Sequence, residues 1–337
     1  MSVDFHAERT AYVGRLAAAH APGGRRSERI AALYADDVDW HGPHPLNELR
    51  GAQAVVDGLW GPLLESVPDL ERRDDILMAG AWKDSPWVAA TGHYVGTFAR
   101  DWIGIPATGV PVSIRYGEVA RLAAGRVVEA YVFLDVLDVM RQAGVWPLAP
   151  PLGSPERWPG PHTRDGVIAA PQDAAESNAS LALVEAMIRG LMEFDGRTLE
   201  SMRMERFWEV ERMMWYGPAG IGSCRGLKGF QDVHQRPFLA AFPDRVGGNH
   251  KCRIGEGAYV ASTGWPSIRA THSGGDFLGL APTGRKITMR VMDFWRREGE
   301  RLVENWVFID LPDLLLQMGY DVLGRYASHP ARANVRR

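Results

Sequence analysis

Two closing stretches of the chain decide its fold: EAYVFLDVLDVMRQAG at 129–144 and ENWVFIDLPDLLLQMG at 304–319. They lie 175 residues apart, and at that offset residues 104–144 and 279–319 share 14 identities in 41 positions without a gap. Chance would give about three identities for average residue usage. The chain is therefore a tandem duplication of one domain.

Outward from these segments, the same offset relates earlier elements of the two halves. Trp-His-Gly-Pro at 40–43 corresponds to Trp-Tyr-Gly-Pro at 215–218. Between the copies, residues 145–171 contain seven prolines, which disfavour helix and predict a semi-rigid, extended connector. The predicted organisation is a first domain, a proline-rich linker, a second domain and a C-terminal tail, at 1–144, 145–177, 178–325 and 326–337.

Composition narrows the classes of function. The chain has 337 residues, a formal net charge of −3 and 46% hydrophobic residues, which favours neither a nucleic-acid nor a membrane partner. Its N-terminus lacks the apolar core of a signal peptide, so we expect a cytoplasmic protein. Twelve Trp, eleven Phe and nine Tyr exceed what two small cores need, and we expect some of them to line ligand cavities.

Each copy begins with helical periodicity and continues with strand patterns. The predicted helices are 4–20, 27–35, 52–65 and 136–143 in the first copy, and 178–194, 197–209, 227–241 and 312–319 in the second. The predicted strands are 73–80, 86–98, 110–122 and 126–134, then 249–255, 258–271, 285–297 and 301–309. This order predicts an α+β architecture, in which a curved antiparallel sheet wraps around N-terminal helices and leaves a cavity.

Several segments resemble one family, the SnoaL-like polyketide cyclases. THSGGDFLGLAPTGRKI at 271–287 is similar to the family signature, in which His-x-Gly leads to Phe-x-Gly and Pro-Thr-Gly before a strand. PFLAAFPD at 237–244 and the closing segment at 304–319 are also typical of it. The first copy diverges more, since GHYVGTF at 92–98 is followed by an apparent four-residue insertion, ARDW. The resemblance covers nearly all of both halves.

The resemblance implies two cone-shaped domains of the ketosteroid isomerase superfamily. Its members typically pair as dimers and use no cofactor, and its polyketide cyclases close a ring by an intramolecular aldol reaction with an Asp as acid/base. By alignment that Asp falls on Asp135 in the first copy and on Asp310 in the second. A tandem chain could form the dimer within itself, as an intrachain pseudo-dimer, and homo-oligomers are a further expectation.

Asp135 and Asp310 are therefore the first catalytic candidates. In strand phase Asp310 shares a face with Trp306 and Phe308, and aromatic neighbours would raise the pKa of a carboxyl group, as a general base requires. The alternative is structural, because each Asp immediately precedes a short helix and could be its N-cap.

Glu118 and Asp293 correspond at the same offset and form a second pair of candidates. Each lies in an apolar strand stripe, where an acid is costly unless it is paired or functional. The alternative is an ion pair across strands, with Arg126 or Arg301 as partner.

The remaining candidates are polar and aromatic. His41 and Tyr216 occupy equivalent positions and could polarise a substrate carbonyl. The candidate substrate-binding residues are His44, His93, Tyr131, Trp265, His272, Trp306, Arg115 and Arg290. Structural histidines and solvated arginines are the alternative for several of them. No metal site is expected, because His41 and His44 flank a Gly-Pro turn without an apparent third ligand.

These features predict an acid/base enzyme, independent of cofactors, that acts on an apolar, oxygenated small molecule. Aldol cyclisation is the specific version, with isomerase, dehydratase or hydrolase reactions as relatives. The competing hypothesis is a non-catalytic tandem domain that binds a small molecule or a partner protein. The copies differ at the positions expected to line cavities, so the sequence permits either two unlike pockets or one active pocket and one structural copy.

Overall fold

The structure is a computed structural model that describes residues 4–21 and 23–327. The predicted tail lies outside the described residues from 328 onward. By contacts the chain divides into two compact units. Unit 1 comprises the chain up to Pro147, Val167–Ala170 and the segment from Asp321 on; unit 2 comprises Leu148–Gly166 and Pro171–Tyr320.

Unit 1 has a curved sheet, with helices before it, between its second and third strands and after its last strand. Its helices are α1 (Phe5–His20), α2 (Arg26–Ala31), α3 (Ala52–Val55), α4 (Gly61–Ser66) and α5 (Val136–Gln142). Its strands are β1 (Tyr34–His41), β2 (Glu48–Arg50), β3 (Glu71–Trp82), β4 (Ser85–Thr97), β5 (Pro111–Ala123) and β6 (Arg126–Leu134).

Unit 2 repeats this order. Its helices are α6 (Ala174–Leu191), α7 (Gly226–Phe230), α8 (Arg236–Ala241) and α9 (Leu311–Gln317). Its strands are β7 (Met214–Tyr216), β8 (Cys224–Arg225), β9 (Val246–Gly247), β10 (His250–Glu256), β11 (Tyr259–Thr271), β12 (Lys286–Glu298) and β13 (Arg301–Ile309). A final helix, α10 (Val322–Ala327), belongs to unit 1.

The predicted α+β architecture is confirmed, with differences in detail. The helix predicted at 27–35 ends at Ala31, and β1 begins at Tyr34. The sheet of unit 1 has the order β2-β1-β6-β5-β4-β3, and that of unit 2 has the order β10-β11-β12-β13-β7-β8, with β9 added beside β11. In each sheet one pairing is parallel, β1 with β6 and β7 with β13, so the expectation of a wholly antiparallel sheet is wrong there. These strands run parallel because a long helix-and-hairpin excursion separates them in the chain.

The predicted helix at 197–209 does not form. Two short 3₁₀ turns, Leu199–Met202 and Met204–Arg206, occupy this stretch. Arg203 between them has a φ of 48°, and a left-handed residue ends a right-handed helix.

Part of the linker packs against the sheet of unit 2. The Trp306 indole donates a hydrogen bond of 2.8 Å to the carbonyl oxygen of Pro159. The ring centroids of Trp158 and Phe308 lie 4.7 Å apart. Trp306 and Phe308 share one face of β13, so this segment covers that face. The opposite face of β13 is the concave one.

The Trp-x-Gly-Pro motif of each copy has a packing explanation. Trp40 and Trp215 are each 1% exposed, and each indole folds back over the glycine two residues later. A Cβ atom on Gly42 would lie 2.1 Å from Trp40 Cη2, and one on Gly217 would lie 2.1 Å from Trp215 Cζ3. Only glycine leaves room for the indole at this point of the core.

We predict that Gly42→Ala and Gly217→Ala each lower the free energy of unfolding by about 1–3 kcal/mol, because the methyl group displaces a buried indole. Urea unfolding followed by tryptophan fluorescence measures the change. Gly14→Ala is the matched control: Gly14 is an exposed position of α1 where a Cβ meets nothing within 4 Å. That change should stabilise the helix by about 0.5–1 kcal/mol. Equal effects at the three glycines would contradict the packing explanation.

Candidate functional site

Unit 2 contains an apolar cavity of about 360 Å³ between its helices and the concave face of its sheet. This volume lies within the range of small-molecule sites. Its walls are largely aromatic and thioether side chains, among them Met187, Trp208, Trp215, Phe230, Phe238 and Met289.

Asp293 is the acid in this cavity. It lies on β12 and lines the wall together with Met289, Val291 and Trp295, the alternate residues of the strand. Asn305 on β13 donates a hydrogen bond of 3.3 Å from Nδ2 to Asp293 Oδ1. No basic side chain among the described residues forms an ion pair with Asp293. Burial raises the pKa of Asp293 to about 7, although Asn305 and, at longer range, Arg253 act in the opposite direction.

Polar residues also occupy the positions that pair with Asp293 on the neighbouring strands. Ser262 on β11 pairs in register with Asp293, and Arg253 on β10 pairs with Ser262. Ser262 Oγ lies 3.2 Å from His250 Nδ1. Burial lowers the pKa of His250 to about 4, helped by Arg253, so this imidazole is neutral at pH 7.

Several buried polar atoms of the cavity wall have no hydrogen-bond partner among the described residues. They are Trp208 Nε1, Trp295 Nε1, His234 Nδ1 and Gln235 Oε1. Burial lowers the pKa of His234 to about 4, so its ring is neutral, and it stacks on Trp215 with ring centroids 4.6 Å apart. His234 and Gln235 belong to a π-helical turn, Gln231–Gln235, between α7 and α8. Buried polar groups of this kind are costly without a hydrogen-bond partner, and a ligand in the cavity could supply one.

The corresponding space in unit 1 is filled, and only about 10 Å³ remain. Arg72 on β3 projects into it and forms an ion pair of 2.8 Å from Nη1 to Glu118 Oε2 and another of 2.8 Å from Nε to Asp74 Oδ1. The guanidinium also lies 4.6 Å from the ring centroid of Tyr116. Tyr12 donates a hydrogen bond of 3.3 Å to the same oxygen of Glu118.

The offset of 175 shows which substitutions open the cavity in unit 2. Strand register supports these matches. Tyr94 and Ile268 are equivalent because they pair with Ile114 and Met289, which lie 175 residues apart, and their partners on the other side are Arg72 and Gly247. Tyr116 pairs with Leu134 as Val291 pairs with Ile309. The large residues of unit 1 are replaced by smaller or more flexible ones: Tyr12 by Met187, Arg72 by Gly247 and Tyr116 by Val291. Unit 2 therefore retains an acid at the equivalent position but lacks the arginine that neutralises it.

Comparison with known proteins places the chain in a family. The sequence profile described as SnoaL-like polyketide cyclase matches residues 16–143 and 203–318. The chain belongs to the SnoaL-like polyketide cyclase family. No protein with a curated functional description matches it.

Solved structures match stretches of about two fifths of the chain. IdmH from Streptomyces antibioticus is 28% identical over 40% of this chain and 97% of its own, with a TM-score of 0.32. AclR from Streptomyces galilaeus is 23% identical over 42% of this chain and 97% of its own, with a TM-score of 0.34. An NTF2-like protein from Burkholderia thailandensis is 23% identical over 41% of this chain and 96% of its own, with a TM-score of 0.32.

In this SnoaL-like chain, Asp135 and Asp310 each cap the N-terminus of the helix that follows and form an ion pair with an arginine. Asp135 accepts the backbone N–H of Asp138 at 3.1 Å and lies 3.2 Å from Arg115 Nη1. Asp310 accepts the backbone N–H of Asp313 at 3.3 Å and lies 2.9 Å from Arg290 Nη1. Asp310 is not among the residues that line the cavity of unit 2. The catalytic role predicted for this pair stays a prediction.

Tyr216 and Trp306 also lie away from the cavity. Their ring centroids are 5.2 Å apart, and Tyr216 donates a hydrogen bond of 3.3 Å to the buried Glu304. Glu304 is itself paired with Arg296. The cavity is lined instead by the alternate residues of β13, namely Asn305, Val307 and Ile309.

The other candidates of unit 2 surround Arg290 and the loop before β12. The Arg290 guanidinium lies 4.7 Å from the ring centroid of Trp265. His272 is fully buried, with Nδ1 3.3 Å from Thr283 Oγ1. Neither Trp265 nor His272 lines the cavity.

In unit 1 the predicted residues form local polar pairs. His41 is bonded to Glu48 and stacks on Tyr131 with ring centroids 4.6 Å apart. His93 Nδ1 lies 3.2 Å from Asp75 Oδ2. His44 is half-buried in the turn after β1.

One part of the ion-pair alternative is wrong. Glu118 is paired with Arg72, whereas Arg126 lies 3.8 Å from Asp36. Arg301 donates to the carbonyl oxygen of Glu300 and forms no ion pair with Asp293. Both arginines lie near the turn between the last two strands, too far along them to reach the acids.

Asp293 is the one predicted site residue that lines the cavity, and sequence reasoning missed several of its neighbours. The missed residues include His234, His250, Ser262, Asn305 and Trp208. Strand alternation could have found Asn305, since it lies out of phase with Trp306. His234 carried no comparable signal, because a π-helical turn shifts the helix face. No helix among the described residues is both long and apolar enough to cross a membrane.

We predict that Asp135→Asn and Asp310→Asn each lower the free energy of unfolding by about 1–3 kcal/mol, because the adjacent arginine loses the closer of its two acidic partners. Urea unfolding measures the loss. Both folded variants should bind the neutral probe N-phenyl-1-naphthylamine as the unmodified chain does, which fluorescence titration checks. A folded Asp310→Asn variant that no longer binds the probe would contradict a purely structural role.

Proposed function

We propose that unit 2 is an acid/base catalyst for an apolar, oxygenated small molecule, with Asp293 as the catalytic carboxyl group. The observation that supports this proposal most strongly is an acid without an ion-pair partner in an apolar cavity, with its pKa near 7. A general base is most effective when its pKa lies near the working pH. The family to which the chain belongs supports the reaction class.

The proposed first step is proton abstraction from a carbon next to a carbonyl group. The ionised Asp293 takes the proton, and the C–H electron pair moves into an enolate. The apolar walls contributed by Trp208, Val291 and Trp295 limit the solvation of the carboxylate, which preserves its basicity.

The enolate oxygen needs hydrogen-bond donors, and the cavity wall has suitable ones. The indole N–H groups of Trp208 and Trp295 have no other partner among the described residues. Neutral His234 can donate from Nδ1 in the tautomer that carries its proton there. Donors fixed before the reaction stabilise the developing charge without reorganisation.

In the cyclisation version, the enolate carbon then attacks a second carbonyl carbon of the same molecule. A C–C bond forms, the second C=O bond becomes an alkoxide, and the alkoxide takes the proton back from Asp293. The enzyme ends as it began, and no co-reactant is consumed. Without the second carbonyl, return of the proton to another carbon gives an isomerisation.

For unit 1 we propose a structural role. Arg72 and the surrounding tyrosines occupy the space that a ligand would need, and Arg72 forms an ion pair with Glu118. The competing hypothesis is a non-catalytic binding domain, in which the cavity binds the ligand but Asp293 transfers no proton. The decisive experiment must therefore separate ligand binding from proton transfer.

We predict that the chain catalyses hydrogen–deuterium exchange next to the carbonyl of 2-tetralone, a fused bicyclic ketone, in D₂O. Since the ionised form of Asp293 is the base, the rate should rise with pH through about 7 and level off above it. Asp293→Asn should reduce the enzyme-dependent rate by roughly 10²–10⁴-fold. Mass spectrometry measures the incorporation of deuterium.

Glu118→Gln is the matched control, because it changes the equivalent acid of unit 1. Its exchange rate should equal that of the unmodified chain once circular dichroism shows that it is folded. Binding of 2-tetralone without Asp293-dependent exchange would favour the non-catalytic binding domain. Exchange that survives Asp293→Asn would contradict the assignment of the base.

A further inference from the structure

Arg245 is a cation of the cavity wall without an acidic partner. Among the described residues no Asp or Glu forms an ion pair with it, and no side-chain or backbone acceptor binds its guanidinium. Its contacts are aromatic: the guanidinium lies 5.1 Å from the ring centroid of Phe194 and 6.0 Å from that of Phe238. Burial lowers the pKa of Arg245, and it remains charged at neutral pH.

Arg245 stands at the mouth of the cavity. Gly247 and Gly248 next to it line the cavity and are exposed. Met192 after α6 also lines the cavity and is 62% exposed, and its Sδ would lie 3.7 Å from a Cβ atom on Gly247. These exposed lining residues mark the cavity mouth, and Arg245 lies beside them.

Strand register sets the separation between the mouth and Asp293. Val246 pairs with Arg269, which pairs with Thr288 on β12. Asp293 is five residues further along the same strand than Thr288. Arg245 immediately precedes Val246, so it lies one position further from Asp293. At about 3.3 Å per residue, the backbones of Arg245 and Asp293 lie roughly 15–20 Å apart along the sheet. Once the inward reach of both side chains is subtracted, a ligand that touches both is on the order of 10 Å long.

We propose that Arg245 binds an anionic head group of the substrate at the cavity mouth, so that the substrate is an elongated apolar molecule with a carboxylate or phosphate at one end and its reacting carbonyl at the other. This inference rests on the proposed function of the cavity. A half-buried cation without an acidic partner gains a charge-assisted hydrogen bond when such a ligand binds. The head group fixes which carbon reaches Asp293, which makes Arg245 a specificity-determining residue.

Two fluorescent probes with the same rings test the proposal. 8-Anilinonaphthalene-1-sulfonate carries an anion, and N-phenyl-1-naphthylamine is the same molecule without it. We expect the full chain to bind the anionic probe more tightly than the neutral one. Arg245→Met should lower the affinity for the anionic probe roughly tenfold or more and leave the affinity for the neutral probe unchanged. Arg245→Lys should restore part of the difference.

Two controls make the result specific. Arg236→Met removes an exposed arginine of the same unit, which lies 3.7 Å from Asp232, and should leave both affinities unchanged. Val291→Tyr introduces the residue that fills unit 1 and should weaken both probes. Displacement of the anionic probe by 1-naphthoate identifies a carboxylate site and by 1-naphthyl phosphate a phosphate site.

The outcomes separate the two proposals. Three outcomes would overturn the role of Arg245. Arg245→Met could weaken the binding of both probes equally, or it could weaken neither, or both naphthyl anions could fail to displace the anionic probe. If the neutral probe still binds and Asp293-dependent exchange persists, the proposed function stands without it. If neither probe binds the unmodified chain, the cavity is not a ligand site and the proposed function fails as well.

Discussion

A carboxyl group inside an apolar cavity either pairs with a cation or has a raised pKa. The two halves of the chain meet this constraint in different ways. In unit 1, Arg72 forms ion pairs with Glu118 and Asp74 and fills the cavity in doing so. In unit 2, glycine replaces that arginine at position 247, so Asp293 keeps a neutral partner, Asn305, and an open space beside it. The loss of this arginine thus affects both the free volume of the cavity and the ionisation of its acid, and the smaller residues Met187 and Val291 add to the volume.

Much of the fold was predictable from the sequence. The offset of 175 residues predicts the duplication, and strand periodicity predicts the eight long strands within one or two residues of their observed bounds. The predicted helix at 197–209 is wrong because Arg203 adopts a left-handed conformation, which helix periodicity does not reveal. The parallel pairing of β1 with β6 depends on tertiary closure of the sheet, and local patterns carry no information on it.

The site was predictable only in part. Alternation correctly places Asp293 on one face with Val291, but it does not tell which face of each strand meets the cavity. That choice depends on packing: residues of the linker cover the face of Trp306 and Phe308, so the opposite face closes over the helices. His234 reaches the cavity from a π-helical turn, whose extra residue breaks the helical spacing on which sequence patterns depend.

The central claim is that the protein holds a carboxyl group that titrates near neutrality. Carbon-13 NMR of the chain labelled at aspartate carboxyl carbons tests it most directly, with Asp293→Asn to assign the resonance. The account predicts that the Asp293 signal titrates with a pKa of about 7. A signal that titrates near the ordinary value for aspartate, about 4, would contradict it.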